Sequence, residues 1–216
     1  MSTIVWDWNG TLFDDVPVCV EVENRLLARR GLPLLTVERY REIFTFPVED
    51  YYRAAGLDLE KEHFPTVAEE YITGYNKAVE GRGLYPGARQ VVEQLRHAGW
   101  RQVLVSASEK GALAEQVESR GVSGCFEAIL GVGDVLAAGK AGLAGEYLHR
   151  EGIAPEEAVF IGDTLHDWEV AQALGCRCLL IAQGHQSRAR LAESGAEILK
   201  DITQVPEALG RGQKVV

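Results

Sequence analysis

Thr3-Ile4-Val5-Trp6-Asp7-Trp8-Asn9-Gly10-Thr11 opens the chain with an apolar, β-branched run that reaches a carboxylate and then turns. Such a run, bounded by glycine, reads as a strand (Thr3–Trp8) buried on both faces. Gly10-Thr11 bends the chain sharply and so holds Asp7 at the rim of a sheet. A second carboxylate two residues on would make an acid/base pair; position 9 carries an amide instead.

Working outward, four more short apolar runs read as strands: Gln102–Ser106, Phe126–Leu130, Ala158–Gly162 and Cys178–Ala182. Helical stretches lie between them at Ala88–Ala98, Gly111–Arg120, Ala141–Glu151 and Trp168–Leu174. This alternation predicts an α/β protein with an open parallel sheet and helices on both faces. One segment breaks the pattern. From about Asp15 to Leu84 no strand is legible, and Pro17, Thr36 as an N-cap, Pro47 before Val48–Ala55, and Glu69–Val79 mark three to four helices. The expected organisation is a core of residues 1–15 and 85–216 with a helical cap at 16–84. Hinges are expected near Asp14–Val16 and Gly81–Pro86.

With 216 residues the chain can bury a full core and carry one small additional unit. Its formal net charge of −10 supplies no basic field to attract phosphates at long range, so neither nucleic acid nor an anionic membrane is expected as a partner. The four cysteines (Cys19, Cys125, Cys176, Cys178) show neither zinc-knuckle nor small-domain disulfide spacing and read as reduced thiols. No basic-then-apolar leader opens the chain and no apolar run approaches ~20 residues, so cytoplasm is the expected compartment.

Polar and acidic residues end three of the expected strands: Asp7, Ser106 and Asp163. Open α/β sheets bind ligands at the carboxyl ends of their strands. Asp163 and Asp167, four apart in Gly162-Asp163-Thr164-Leu165-His166-Asp167, face the same crevice as Asp7. Converging carboxylates repel one another, so a hard divalent cation such as Mg²⁺ is the natural occupant. Lys140, after Gly139 and before a helix, is expected to supply the fixed positive charge a phosphate needs. Ser106 and the amides of Ala107 and Ser108 are expected to meet phosphoryl oxygens where a helix begins. Asp7 can then attack phosphorus in line to form an aspartyl-phosphate that water hydrolyses.

The order Asp7-Trp8-Asn9-Gly10-Thr11, Val103-Leu104-Val105-Ser106, Lys140, then Gly162-Asp163-Thr164-Leu165-His166-Asp167 resembles the haloacid dehalogenase superfamily, whose core is Rossmann-like. The insert resembles the small helical cap of its phosphoglycolate-phosphatase-like members. The resemblance covers essentially the whole chain. It implies Asp7 as nucleophile and metal ligand, the main-chain carbonyl of Asn9 as a second ligand, and Asp163 with Asp167 holding the metal. It also implies Ser106 and Lys140 on the phosphoryl group, with Thr11 and Ala107 beside them. Lys140 is followed by Ala141-Gly142 where a proline is commoner.

In phosphatases of this superfamily a second Asp protonates the leaving alcohol. An amide cannot, and a placed acid/base is worth roughly 10²–10⁴ in rate. Aryl and acyl phosphates, whose leaving groups need no proton, should therefore suffer least. The alternatives are a catalytically weak relative that binds ligands or partners, a phosphotransferase, and a phosphonoacetaldehyde-hydrolase-like enzyme. That last activity would need a Schiff-base lysine in the cap, where only Lys61 and Lys77 occur. His166 and His185 are candidates for the missing acid, although solvated loop histidines are the commoner occurrence. Asp14 and Asp15 read as caps of the first insert helix. Arg41 and Arg53, with Tyr51 beside them, are candidates to meet an anionic substrate tail, against the plainer reading that the aromatics are the cap's own core.

Overall fold

The computed structural model describes residues 2–133 and 139–212. Six parallel strands, β1 (Thr3–Trp6), β2 (Arg101–Glu109), β3 (Ala128–Val132), β4 (Ala158–Gly162), β5 (Arg177–Ile181) and β6 (Glu197–Leu199), form one sheet in the order β3-β2-β1-β4-β5-β6. The period-two pleat sorts the apolar runs between two cores. Ile4, Trp6, Leu104, Ile161 and Leu179 face one side, and Val5, Val103, Phe160 and Leu180 face the other. Because every central strand is apolar on both faces, only a sheet covered by helices on both sides can bury it.

The first face is covered by α5 (Ala88–His97) and α6 (Lys110–Ser119), and by α10 (Val205–Gly212). The second is covered by α7 (Lys140–Arg150) and α8 (Leu165–Leu174), with Leu191 of the single-turn α9 (Arg188–Leu191). Between β1 and α5 lie four helices: α1 (Val16–Arg29), α2 (Val37–Ile43), α3 (Val48–Ala55) and α4 (Phe64–Ala78). They share an apolar cluster of their own that includes Val20, Leu27, Tyr40, Tyr52 and Val67. Thr36 caps α2 by accepting from the Arg39 amide at 3.1 Å. The two chain segments joining this insert to the sheet run side by side, with Asp14 N donating to Gly83 O at 3.1 Å and Tyr85 N to Leu12 O at 2.9 Å. Among the described residues no helix is long and apolar enough to cross a membrane.

Several boundaries differ from the sequence reading. β1 ends at Trp6 rather than Trp8, although the Asp7 amide still donates to Ile161 O at 2.9 Å. β2 continues past Ser106 to Glu109, with a register shift against β3 between Val105 and Glu109. Ser106 therefore lies inside a strand, and Ala107 and Ser108 are not at a helix start, since α6 begins at Lys110. α8 begins at Leu165 rather than Trp168, because Thr164 and Asp167 form a capping box that fixes its first turn. β6 was not expected; three residues after Gly195 are too short to show a period.

Within the insert, Glu23 is fully buried on α1 and neither carboxylate oxygen has a partner. Burial pushes its carboxyl up to about 7, against the pull of Arg30. A raised folded pKa means the native state holds this proton more tightly than the unfolded chain does. The stabilisation is therefore complete below the ordinary value of 4.5 and lost as pH climbs through about 7. Glu23→Gln should stabilise the protein at pH 8 by about 1–3 kcal/mol and change it little near pH 4.5. Thermal denaturation at the two pH values checks this; an equal effect at both would contradict it.

Candidate active site

The sheet order reverses direction at β1 and β4, and the loops leaving the carboxyl ends of neighbouring strands diverge there to leave a crevice. Asp7 follows β1, Asp163 follows β4, Lys140 opens α7, and Asp167 sits in the first turn of α8. One oxygen each of Asp7, Asp163 and Asp167 lies within 4.8 Å of the others. Lys140 Nζ donates to both Asp7 Oδ1 and Asp167 Oδ1. The remaining oxygen of Asp167 accepts from Thr164 N at 3.0 Å and Thr164 Oγ1 at 2.7 Å.

Asp163 differs from Asp167 in having only neutral donors. Thr11 Oγ1 donates to its Oδ1 at 2.8 Å and the His185 amide to its Oδ2 at 2.6 Å. Thr11, expected among the phosphate-binding residues, is thus turned onto Asp163. Burial raises the Asp163 carboxyl to about 8 and that of Asp7 to about 6. For Asp167 burial acts in the same direction, but the Lys140 ammonium and the threonine bonds outweigh it and hold the carboxyl below its ordinary value. Lys140 thus serves Asp7 and Asp167, while Asp163 has no ammonium on it and only the nearby His185 ring to offset its charge. A buried set of oxygen donors in this state fits a hard divalent cation.

Space around Asp163 is closed by glycines. A Cβ at Gly184 would stand 2.1 Å from Asp163 Oδ2, and one at Gly10 would stand 2.3 Å from the same atom. Gly10 also has a φ of 73°, a left-handed conformation that glycine adopts without strain.

The Asn9 side chain is fully engaged. Its Nδ2 donates to Asp15 Oδ2 and to Tyr75 Oη, both at 2.8 Å, and its Oδ1 accepts from Ser108 Oγ at 2.8 Å and Ser106 Oγ at 3.4 Å. Tyr75 Oη donates to Asp15 Oδ2 at 2.8 Å, and the Gly10 amide to Asp15 Oδ1 at 2.9 Å. Asp15 occupies the N-cap position of α1 but makes no side-chain capping bond, contrary to the sequence reading. It is drawn inward to serve the turn after β1. Burial opposes its charge, yet His185 and the bonds from Asn9 and Tyr75 keep its carboxyl low.

His185 is buried, not solvated. Its Nε2 lies 3.4 Å from Asp15 Oδ1 and its Nδ1 lies 2.8 Å from Tyr40 Oη. Burial disfavours its cation, but Asp15 and the carboxylates of Asp163 and Asp7 prevail and raise its pKa to about 9. The role of Asp15 was missed in the sequence because its partners, Tyr75 and His185, stand 60 and 170 residues away. His166 is half-exposed at the rim, against the Phe46 ring.

Above the carboxylates lies a cavity of about 380 Å³, lined by Asp7, Ser106, Ala107, Lys140 and the histidines below and by aromatic side chains of α2–α4 above. Neither predicted arginine lines it. Arg41 donates to Gly184 O at 2.8 Å and Gln183 O at 2.5 Å, strapping α2 to the loop after β5. Arg53 is exposed and pairs with Asp50 at 2.8 Å. The Tyr51 ring lines the cavity, but its hydroxyl is sealed from solvent without a partner. Lys61 and Lys77 are exposed, so the insert presents no lysine to the cavity.

Sheet order, the position of the insert and a carboxylate site at the switch point define a doubly wound α/β enzyme core. The chain belongs to the haloacid dehalogenase-like hydrolase family, whose model matches residues 4–181. It is 25% identical over 207 residues to the phosphoglycolate phosphatase of Rhodobacter capsulatus, covering 94% of each chain. It is likewise 25% identical over 209 residues to that of Pseudomonas putida, covering 92% of this chain and 76% of that protein. A solved haloacid dehalogenase-like family hydrolase of Streptococcus pneumoniae superimposes with a TM-score of 0.82 at 22% identity, over 97% of this chain and 98% of that one, a likeness of fold.

The Asn9–Asp15 contact generates a test. Asn9→Asp would set two carboxylates against each other where a charge-assisted bond now stands, and should cost at least about 2 kcal/mol. Adding Asp15→Asn restores one donor and one acceptor and should recover roughly half of the loss. Chemical denaturation of the two single variants and the double variant measures the coupling; strictly additive effects would contradict it.

Proposed function

We propose that this chain is a Mg²⁺-dependent phosphohydrolase that acts on a small phosphorylated compound through an aspartyl-phosphate on Asp7. The observation that carries this reading is the meeting of Asp7, Asp163 and Asp167 oxygens within 4.8 Å, with a single ammonium among them, at the floor of a cavity. Asp7, Asp163, Asp167 and the main-chain carbonyl of Asn9 would hold the ion. When bound, the ion offsets the negative charge of the carboxylates and of the phosphoryl group, so that two anions can approach.

The chain's own residues do the rest. An oxygen of Asp7 attacks phosphorus and displaces the leaving oxygen with its electron pair. Water then attacks the phosphorus, releasing inorganic phosphate and restoring the carboxylate. Lys140 holds Asp7 in place and offsets charge on the phosphoryl group, and Ser106 orients it. Residues 16–84 act as the cap, excluding water while the acyl phosphate exists. The amide of Asn9 can neither give nor take a proton, so simple alkyl phosphates should turn over slowly.

Phosphate release in the presence of Mg²⁺ tests the reading. Asp7→Asn should reduce it by about 10³-fold or more, and a chelator should abolish it until Mg²⁺ is returned. An unchanged rate in Asp7→Asn would overturn the mechanism. Accumulation of aspartyl-phosphate without turnover would favour a binding protein, and phosphoryl transfer to an added alcohol would favour a transferase.

A further inference from the structure

The cavity over Asp7 carries more information than its floor. Every insert residue that lines it is apolar or aromatic, and Phe44, Tyr52, Phe64, Tyr71 and Ile72 are among them. No insert residue on this wall is a lysine, arginine, histidine or carboxylate. At the mouth, Phe46 and Ile72 are 39% and 53% exposed, two large apolar side chains left in water where a ligand would enter. The basic groups of the lining already face carboxylates: Lys140 those of Asp7 and Asp167, His185 that of Asp15, and His166 at the rim that of Glu169. A carboxylate-bearing substrate such as phosphoglycolate would find no free cation on this wall, and burying an unpaired anion there is strongly unfavourable.

Asn9 and His185 offer a leaving alcohol no free proton donor, and the other lining imidazole, His166, stands half-exposed at the rim with its Nδ1 3.4 Å from Glu169. All four hydrogen-bonding positions of the Asn9 amide are taken, and both ring nitrogens of His185 face protein groups. An aryl phosphate meets both conditions. Its ring fits an aromatic wall, and its oxygen leaves as an aryloxide without protonation.

We propose that the substrate class of this site is an aryl phosphate monoester with an uncharged ring, which seats in the Phe44/Tyr52/Phe64/Tyr71 cavity while its phosphate meets Asp7. The proposal rests on the phosphohydrolase reading above and narrows it. In the transfer step an oxygen–phosphorus bond forms to Asp7 and the aryl oxygen–phosphorus bond breaks, its pair leaving on the aryloxide. In the second step water attacks phosphorus, the Asp7 oxygen–phosphorus bond breaks with its pair returning to the carboxylate, the water's proton passes to solvent, and inorganic phosphate departs.

The experiment compares kcat/KM of the Mg²⁺-loaded full chain for phenyl phosphate, 4-carboxyphenyl phosphate, phosphoglycolate and acetyl phosphate. The para-carboxylate makes its phenolate a slightly better leaving group, so chemistry alone would favour the charged ester; only the cavity wall favours phenyl phosphate. Phenyl phosphate should exceed 4-carboxyphenyl phosphate and phosphoglycolate by roughly 10²-fold. Ile72→Arg, at an exposed position, should lower the ratio of phenyl to 4-carboxyphenyl phosphate by about tenfold.

Equal or better turnover of either carboxylate-bearing ester overturns the proposal. Turnover of acetyl phosphate but not of phenyl phosphate overturns it too, while leaving the phosphohydrolase reading intact. If none of the four is turned over, that reading fails, and the cavity is judged by calorimetric binding of phenylphosphonate against phosphonoacetate. Phenylphosphonate binding tighter by roughly 10²-fold supports an apolar-ring site, and equal binding overturns it.

Discussion

Everything at the carboxyl edge of this sheet is organised around the repulsion of buried carboxylates. A parallel sheet delivers the ends of its strands to one side, and here β1 and β4 deliver Asp7 and Asp163 while α8 adds Asp167. Lys140 bridges two of the three, which is why it is buried at the first residue of α7 rather than displayed on the helix surface. The third, Asp163, is held by a threonine hydroxyl and a backbone amide, which shape the carboxylate without neutralising it. Asp163 is therefore the one carboxylate of the three that Lys140 does not reach.

The amide at position 9 fits the same constraint. Beside it stands Asp15, already a buried carboxylate, and a second acid at position 9 would meet it at hydrogen-bonding distance. Asn9 instead ties four elements together: the turn after β1, the start of α1 through Asp15, the end of β2 through Ser106 and Ser108, and α4 through Tyr75. One side chain thus makes a hydrogen-bonded joint between sheet and insert. The wall above is aromatic and apolar, with no charged side chain from the insert.

The parts of the fold legible in sequence were those with strong local signals. Five strands showed as apolar runs bounded by glycine or polar residues, and Thr36 carried capping chemistry readable at short range, whereas the Thr164–Asp167 capping box that starts α8 was not read. β6 was invisible because three residues have no period, and β2 ran beyond Ser106 because pairing with β3 resumes past the register shift. At the site, Asp7, Asp163 and Asp167 were legible because spacing along strand ends puts them on one rim, and Lys140 through its place in the motif order. Arg41 and Arg53 were misread, since a guanidinium in an aromatic stretch looks the same whether it faces a ligand, two backbone carbonyls or a neighbouring aspartate.

By itself the sequence determined the doubly wound architecture, the position of the helical insert and the identity of the clustered carboxylates, because each follows from periodicity or from short spacing at a strand end. Only the tertiary structure decided that Asp15 and His185 form a buried pair beneath Tyr40, that Asn9 is a joint with no free valence, and that the cavity wall is uncharged. Apart from the Asn9–Asp15 bond, these depend on contacts between residues 66 to 170 positions apart, where burial and the mutual geometry of donors and acceptors, rather than residue type, set the charge and the chemistry.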